Sequence, residues 1–199
     1  MSLALDQLVA LIAAASFAAG LNVYATVATL GILARAEVLT LPPSLHLVES
    51  WPVIVVCAVM FVIEFFADKI PAFDLIWNAL HTFVRVPVAA LLAYGAAAHL
   101  PPSAQAISAV AGGSIALAAH GGKTAARAAV TPSPEPFSNI ALSLGEDVVA
   151  IALTWLATTH PYLAGAIVLL FLIGIVVLIR FVIRAMRRLF RGAERAVAG

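Results

Sequence analysis

Charge is what this 199-residue chain has least of: 11% of its residues are Asp, Glu, Lys or Arg, against 63% that are hydrophobic. A water-soluble domain of this length needs far more polar surface to cover itself. The composition therefore excludes a soluble globular protein and points to an integral membrane protein. Cysteine is nearly absent as well. The single Cys57 lies in an apolar run, so no disulfide framework exists and the redox compartment cannot be read. Signatures of the common catalytic chemistries are also missing, with no HExxH and no GxSxG. The string GGKT at 121–124 invites a phosphate-loop reading, but the position that needs the first glycine holds Leu117. Nucleotide hydrolysis is rejected. No enzyme activity and no cofactor is expected.

What the chain does have is long apolar runs. About six can be counted at roughly 20 residues per span, covering 5–33, 51–66, 76–98, 104–119, 140–158 and 162–179. The pattern predicts an all-α, polytopic membrane helix bundle. Residues 1–185 would form one transmembrane domain, followed by a basic amphipathic tail over 186–199. The first run is interrupted by GLNVYAT at 20–26. There Asn22, Tyr24 and Thr26 either break the helix toward a cavity or sit on a tilted helix packed through small residues. Pro71 is expected to end the helix before it, leaving Asp74 to cap the next one. Ser138 or Asn139 would cap the fifth span, and Pro87 would interrupt the third. The last run is the most purely apolar and reads as a lipid-facing helix.

Charge is unevenly spread. The tail from Arg180 onward carries six arginines against Glu194, while the rest of the chain is acidic by four. Basic residues collect on the cytoplasmic side of membrane proteins, which places the C-terminus inside and, with six spans, the N-terminus inside too. Turns near 101–103 and 159–161 then fall outside, and neither holds Lys or Arg. The expected partners are membrane lipids, with acidic headgroups at the Arg-rich tail, and a homo-oligomer; nucleic acid is not expected.

The charges that remain among the spans are clustered. Glu64 and Asp68 lie four apart in EFFAD, and Lys123 and Arg127 four apart in KTAAR, so each pair shares a helix face. Side by side, the acidic and basic faces would neutralise each other, which is how buried charges become tolerable. Proline-broken loops follow both pairs, and PAFDLIWNAL lies over PEPFSNIALSL with Phe73 on Phe137. This echo suggests an internal repeat of helical hairpins, parallel or inverted. Ionisable groups within apolar spans are functional candidates by default. The candidates for binding a substrate or ion are Asn22, Tyr24, Glu64, Asp68, Lys69, Asp74, His81, Arg85, Lys123, Arg127, Glu135, Asn139, Glu146 and Asp147. Glu64, Asp68, Asp74 and His81 could share a metal ion, whose identity is open. Glu146 and Asp147 diverge by about 100° around their helix, so one can meet Lys123 or Arg127 while the other faces elsewhere. The two loops, 69–74 and 131–139, would line one shared site.

Taken together, GLNVYAT, EFFADKIPAFD with WNALHTFVR, and GGKTAAR followed by SPEPFSN and a later ED resemble the domain-of-unknown-function 4126 family of bacterial multi-pass membrane proteins. The resemblance implies a small inner-membrane protein and implies no activity. Three functions are consistent with the residues. The first is a small transporter or channel-like protein for an ion or anionic small molecule, with proton coupling. The second is a lipid-handling protein that binds phosphate headgroups. The third is a non-transporting structural or accessory protein whose charges only pair helices.

Overall fold

The computed structural model describes residues 4–69, 71–130 and 136–198, and side-chain surroundings within them except at 71–75, 128–130, 136–139, 185–186 and 188–198. The described residues are helical and include no strand. In order they form α1 (Leu5–Leu21), α2 (Val23–Arg35), a 3-10 helix (Pro43–Glu49), α3 (Trp51–Ala67), α4 (Pro71–Ala96), α5 (Pro102–Val130), α6 (Pro136–Thr159) and α7 (Pro161–Ala198). The four longest helices each open on proline. At the first helical position proline's missing N–H is no loss and its fixed φ suits the helix. Pro71 is therefore a helix starter. Asp74 lies within the first turn of α4 rather than capping it, and Ser138 and Asn139 lie likewise inside α6. Nor does Pro87 interrupt α4, which runs through it and loses only the bond that proline's nitrogen cannot make.

The first apolar run does not form one span. α1 ends at Asn22, whose extended backbone (φ −149°, ψ 103°) stops the helix, and the Asn22 side chain accepts a hydrogen bond from Ala25 N to start α2. The contacts on either side show that the chain turns back here. The start of α1 packs with the end of α4, through Leu8, Ile12, Ala93 and Ala97. At its other end Gly20 abuts Ala116 and Ala119 of α5. α2 then returns to the first level, where Leu30 joins Leu92 and Leu41. α1 and α2 are thus a re-entrant hairpin with Asn22 at its tip. α2 closes with Glu37 at φ 60°, and Val38 N and Glu37 N bond back to the Leu33 and Ala34 carbonyls. This is the paired terminal bonding that a left-handed residue allows, here without the usual glycine.

α1 occupies the centre of the bundle, packed against α4, α5, α6 and α7. Its buried residues lie all round it, from Leu8 to Leu21, as expected of a helix that is hydrophobic on every side. Gly20 makes this possible at the tip, since a Cβ there would fall 2.8 Å from Ala116 Cα and from Ala119 Cβ. Small residues let helices approach in this way.

Among the described residues, three stretches are long and apolar enough to cross a bilayer: Ile76–Ala96, Ile140–Thr159 and Pro161–Arg184. The 3-10 helix and α3, bent by 59°, add a fourth if taken as one span. The expected count of six is not reproduced: α1 and α2 are short, with 17 and 13 residues, and α5 is long but rich in Ala, Gly and Ser. The outer surface is apolar, with Phe83 81%, Val110 71% and Leu170 69% exposed. Patches of this kind suit a lipid environment. α7 is the most lipid-accessible of the three, with 6% of its apolar window buried, as its composition predicted. The contact between Asp6 and Tyr162 sets the start of α1 beside the start of α7. The start of α1 and the end of α7 therefore lie at opposite ends of α7.

Candidate functional site

Two levels of polar side chains are buried where the hairpin tip meets α3–α6. The upper level centres on Arg85, which is fully buried on α4. Its guanidinium pairs with Glu64 of α3, donates to Asn78 Oδ1 at 3.3 Å and to His120 Nδ1 at 2.8 Å. A guanidinium only donates, so His120 Nδ1 carries no proton and the ring must hold it on Nε2. That nitrogen lies 2.8 Å from Thr82 Oγ1, which in turn donates to the Asn78 carbonyl. The direction of every hydrogen bond follows from Arg85. Beside it, His81 donates from Nδ1 to the Trp77 carbonyl at 2.8 Å and accepts at Nε2 from the Tyr24 hydroxyl at 2.9 Å. Trp77 stacks on the same imidazole at 4.2 Å.

The lower level pairs the two charged helix faces. Asp68 Oδ2 receives Lys123 Nζ at 3.0 Å and Arg127 Nη2 at 2.8 Å. Glu146 Oε2 receives the same two cations at 3.1 Å and 3.0 Å. Lys123 also comes within 3.9 Å of Glu64 and so links the levels. The one-turn spacing of Glu64–Asp68 and of Lys123–Arg127 makes this possible, since each pair projects from one face. Glu146 and Asp147 diverge as adjacent helical residues must. Glu146 faces the cations, while Asp147 turns to the hairpin and accepts from Asn22 Nδ2 at 2.9 Å. Asn22 thus serves two purposes: its oxygen caps α2 and its amide holds Asp147.

Several buried polar atoms have no hydrogen-bond partner among the described residues: Glu64 Oε2, Asp68 Oδ1, Arg85 Nε, Ser143 Oγ and Asp147 Oδ2. Buried polar groups are paired in the great majority of cases, so this cluster of exceptions coincides with the candidate site. No three His, Cys, Asp or Glu side chains among the described residues come together as a metal site. Asp68 and Glu64 are instead engaged by cations, which leaves the metal expectation without support there.

Of the sequence candidates, the structure brings together Asn22, Tyr24, Glu64, Asp68, His81, Arg85, Lys123, Arg127, Glu146 and Asp147. Lys69 makes no direct bond to them: its ammonium is on the Phe65 carbonyl at 2.6 Å and over the Phe65 ring, within electrostatic reach of Asp68 and Asp147. Glu135 and the side chains of Asp74 and Asn139 lie outside the described residues. The shared site between the two loops falls there with them, as does the Phe73–Phe137 correspondence. Sequence reasoning missed His120, Asn78, Thr82 and Ser143. Helical spacing carries the signal for each: His120 stands three before Lys123, Asn78 seven and Thr82 three before Arg85, and Ser143 four before Asp147.

At the opposite end of the bundle lies a cavity of about 700 Å³. It is lined by the start of α1, the 38–43 loop and the ends of α4 and α6. Ser16 is among its lining residues and stands six residues, about 9 Å of helix rise, from Asn22.

A family model described as a domain of unknown function (DUF4126) matches residues 9–181. The comparison with curated proteins and the comparison with solved structures returned no match.

Proposed function

Because the chain belongs to the domain-of-unknown-function 4126 family, a membership that brings no activity with it, we propose its function from the geometry: a small, non-enzymatic transporter or channel-like protein for an ion. The observation that carries this reading is the broken helix at Asn22, whose tip meets the buried cluster through Asp147. Irregular backbone at membrane depth is tolerated where it is buried in protein or lines a watery path. Discontinuous helices that meet near the midplane are how many transporters build their ion sites. The cavity on the far side of the hairpin supplies a vestibule toward that tip.

In this reading the basic residues of the lower level and the Arg-rich tail face the cytoplasm of a bacterial inner membrane. The hairpin enters from the outer face and returns to it, five helical segments cross, and the N-terminus lies outside. This differs from the arrangement with both termini inside that six spans would give. The tail lies along acidic headgroups. An ion is favoured over an anionic small molecule, because Arg85, Lys123 and Arg127 are each already engaged by carboxylates. The headgroup-binding function is weakened for the same reason. The accessory function retains one support, the thorough pairing of those three cations.

Reconstitution separates the two that remain. The full chain in liposomes should carry protons, sodium, potassium or chloride faster than protein-free liposomes do, followed with pH- and voltage-sensitive dyes. If no ion moves in either direction of the gradient, the cluster is a scaffold and the transport reading is wrong.

A further inference from the structure

We propose that Asp147, Ser143 and the tip of the α1–α2 hairpin hold one monovalent cation, a sodium ion or a proton. The inference rests on reading the buried centre as an ion site, and it names the class of ion. Three independent observations lead to it.

The first is unpaired oxygen. Asp147 is 5% and Ser143 0% exposed, and neither Asp147 Oδ2 nor Ser143 Oγ has a hydrogen-bond partner among the described residues. They stand one turn apart on α6, where Cβ atoms on one face lie about 5–6 Å from each other. They do not bond to each other, so whatever satisfies Asp147 Oδ2 must be a donor or a positive charge.

The second is the helix break. The last helical bond of α1 runs from Asn22 N to the Ala18 carbonyl. By helix geometry the carbonyls of Ala19, Gly20 and Leu21 lie beyond it, without amide partners in α1. Carbonyls at such a break coordinate cations in other broken helices. Asn22 brings this end directly to Asp147.

The third is charge. Four carboxylates, Glu64, Asp68, Glu146 and Asp147, face three cations, Arg85, Lys123 and Arg127, among the described side chains. His120 is neutral by its bond from Arg85, and the Lys69 ammonium, though within electrostatic reach of Asp147 and Asp68, bonds to the Phe65 carbonyl rather than to a carboxylate. From the other elements α2 adds Tyr24, α4 adds His81 bonded to it, and α7 has no ionisable side chain between Tyr162 and Arg180. Among these directly bonded groups one carboxylate, Asp147, has no cation in contact, and one positive charge satisfies it. Glu64, Asp68 and Glu146 all have cations on them. Asp147 alone is hydrogen-bonded to a neutral amide and makes no direct ion pair among the described residues.

The test uses the full chain in detergent. Its unfolding midpoint is followed as sodium chloride replaces choline chloride at constant ionic strength, near pH 8, and then in choline alone as pH is varied. If sodium fills the site, the midpoint rises and saturates with sodium. Ser143→Ala then moves half-saturation roughly tenfold higher, the scale expected for disturbing a cation site's ligand shell. If a proton fills it, sodium has no effect and the midpoint in choline falls as pH rises. In both cases Asp147→Asn abolishes the response. Ser143→Ala removes only an unpartnered hydroxyl and is expected to fold, so it decides the matter should Asp147→Asn not fold. A midpoint indifferent to both ions, or one whose response is the same in wild type and the two variants, overturns the proposal. Binding without flux would leave this site standing and remove transport; flux with no response at Asp147 would do the reverse.

Discussion

The Tyr162 hydroxyl donates to Asp6 Oδ2 at 2.7 Å across 156 residues of chain. This bond ties the first turn of the first helix to the first turn of the last. With α7 running on to Ala198, it sets the start of α1 and the end of α7 a helix length apart, and with the bond from Asn22 to Asp147 it fixes the direction in which α1 runs.

Topology is therefore open to a direct check. Cys57 is the only cysteine, so a Cys57→Ser background accepts single labels at Asp6→Cys, Thr159→Cys and Ala193→Cys. In intact cells an impermeant reagent should reach the first two together and miss the third. Labelling of positions 6 and 193 from the same side would mean that the hairpin is a span after all.

The Glu64–Arg85 pair is fully buried on both sides. Arg85→Ala should destabilise the protein by about 3–5 kcal/mol, because Glu64 is left as an uncompensated buried charge. Adding Glu64→Gln to it should recover part of that loss, read as the unfolding midpoint in detergent. Were the double variant as unstable as the two single losses added together, the pair would not be coupled.

Gly20 and Gly174 make a paired experiment in helix packing. A Cβ at Gly20 would meet the backbone of α5, whereas one at Gly174 meets nothing within 4 Å. Gly20→Ala should cost about 1–3 kcal/mol through forced displacement of the hairpin tip. Gly174→Ala should be neutral or stabilise by about 0.5–1 kcal/mol through helix propensity. Equal effects at the two positions would show that the tip does not pack against α5 as described.

Much of this molecule could be read from the amino-acid sequence alone. Hydropathy determined that the chain is helical and suited to a membrane, because apolar composition and length set what a bilayer accepts. Spacing placed Glu64 with Asp68 and Lys123 with Arg127, because a helix carries residues four apart on one face, and opposite sign made the two faces partners. The divergence of Glu146 and Asp147 follows from the same geometry. The reversal at Asn22 was beyond its reach. A kinked span and a re-entrant hairpin have the same hydropathy, and the difference is one residue's φ and ψ, chosen by what the tip meets on α5 and α6. The proline that opens each of the four longest helices was equally ambiguous, since the ring that forbids a helix interior favours its first turn. His120, Thr82, Asn78 and Ser143 look like ordinary residues on small or apolar faces. Only the fold turns those faces toward Arg85 and Asp147, and a polar atom acquires a role when burial leaves it no water to bond with.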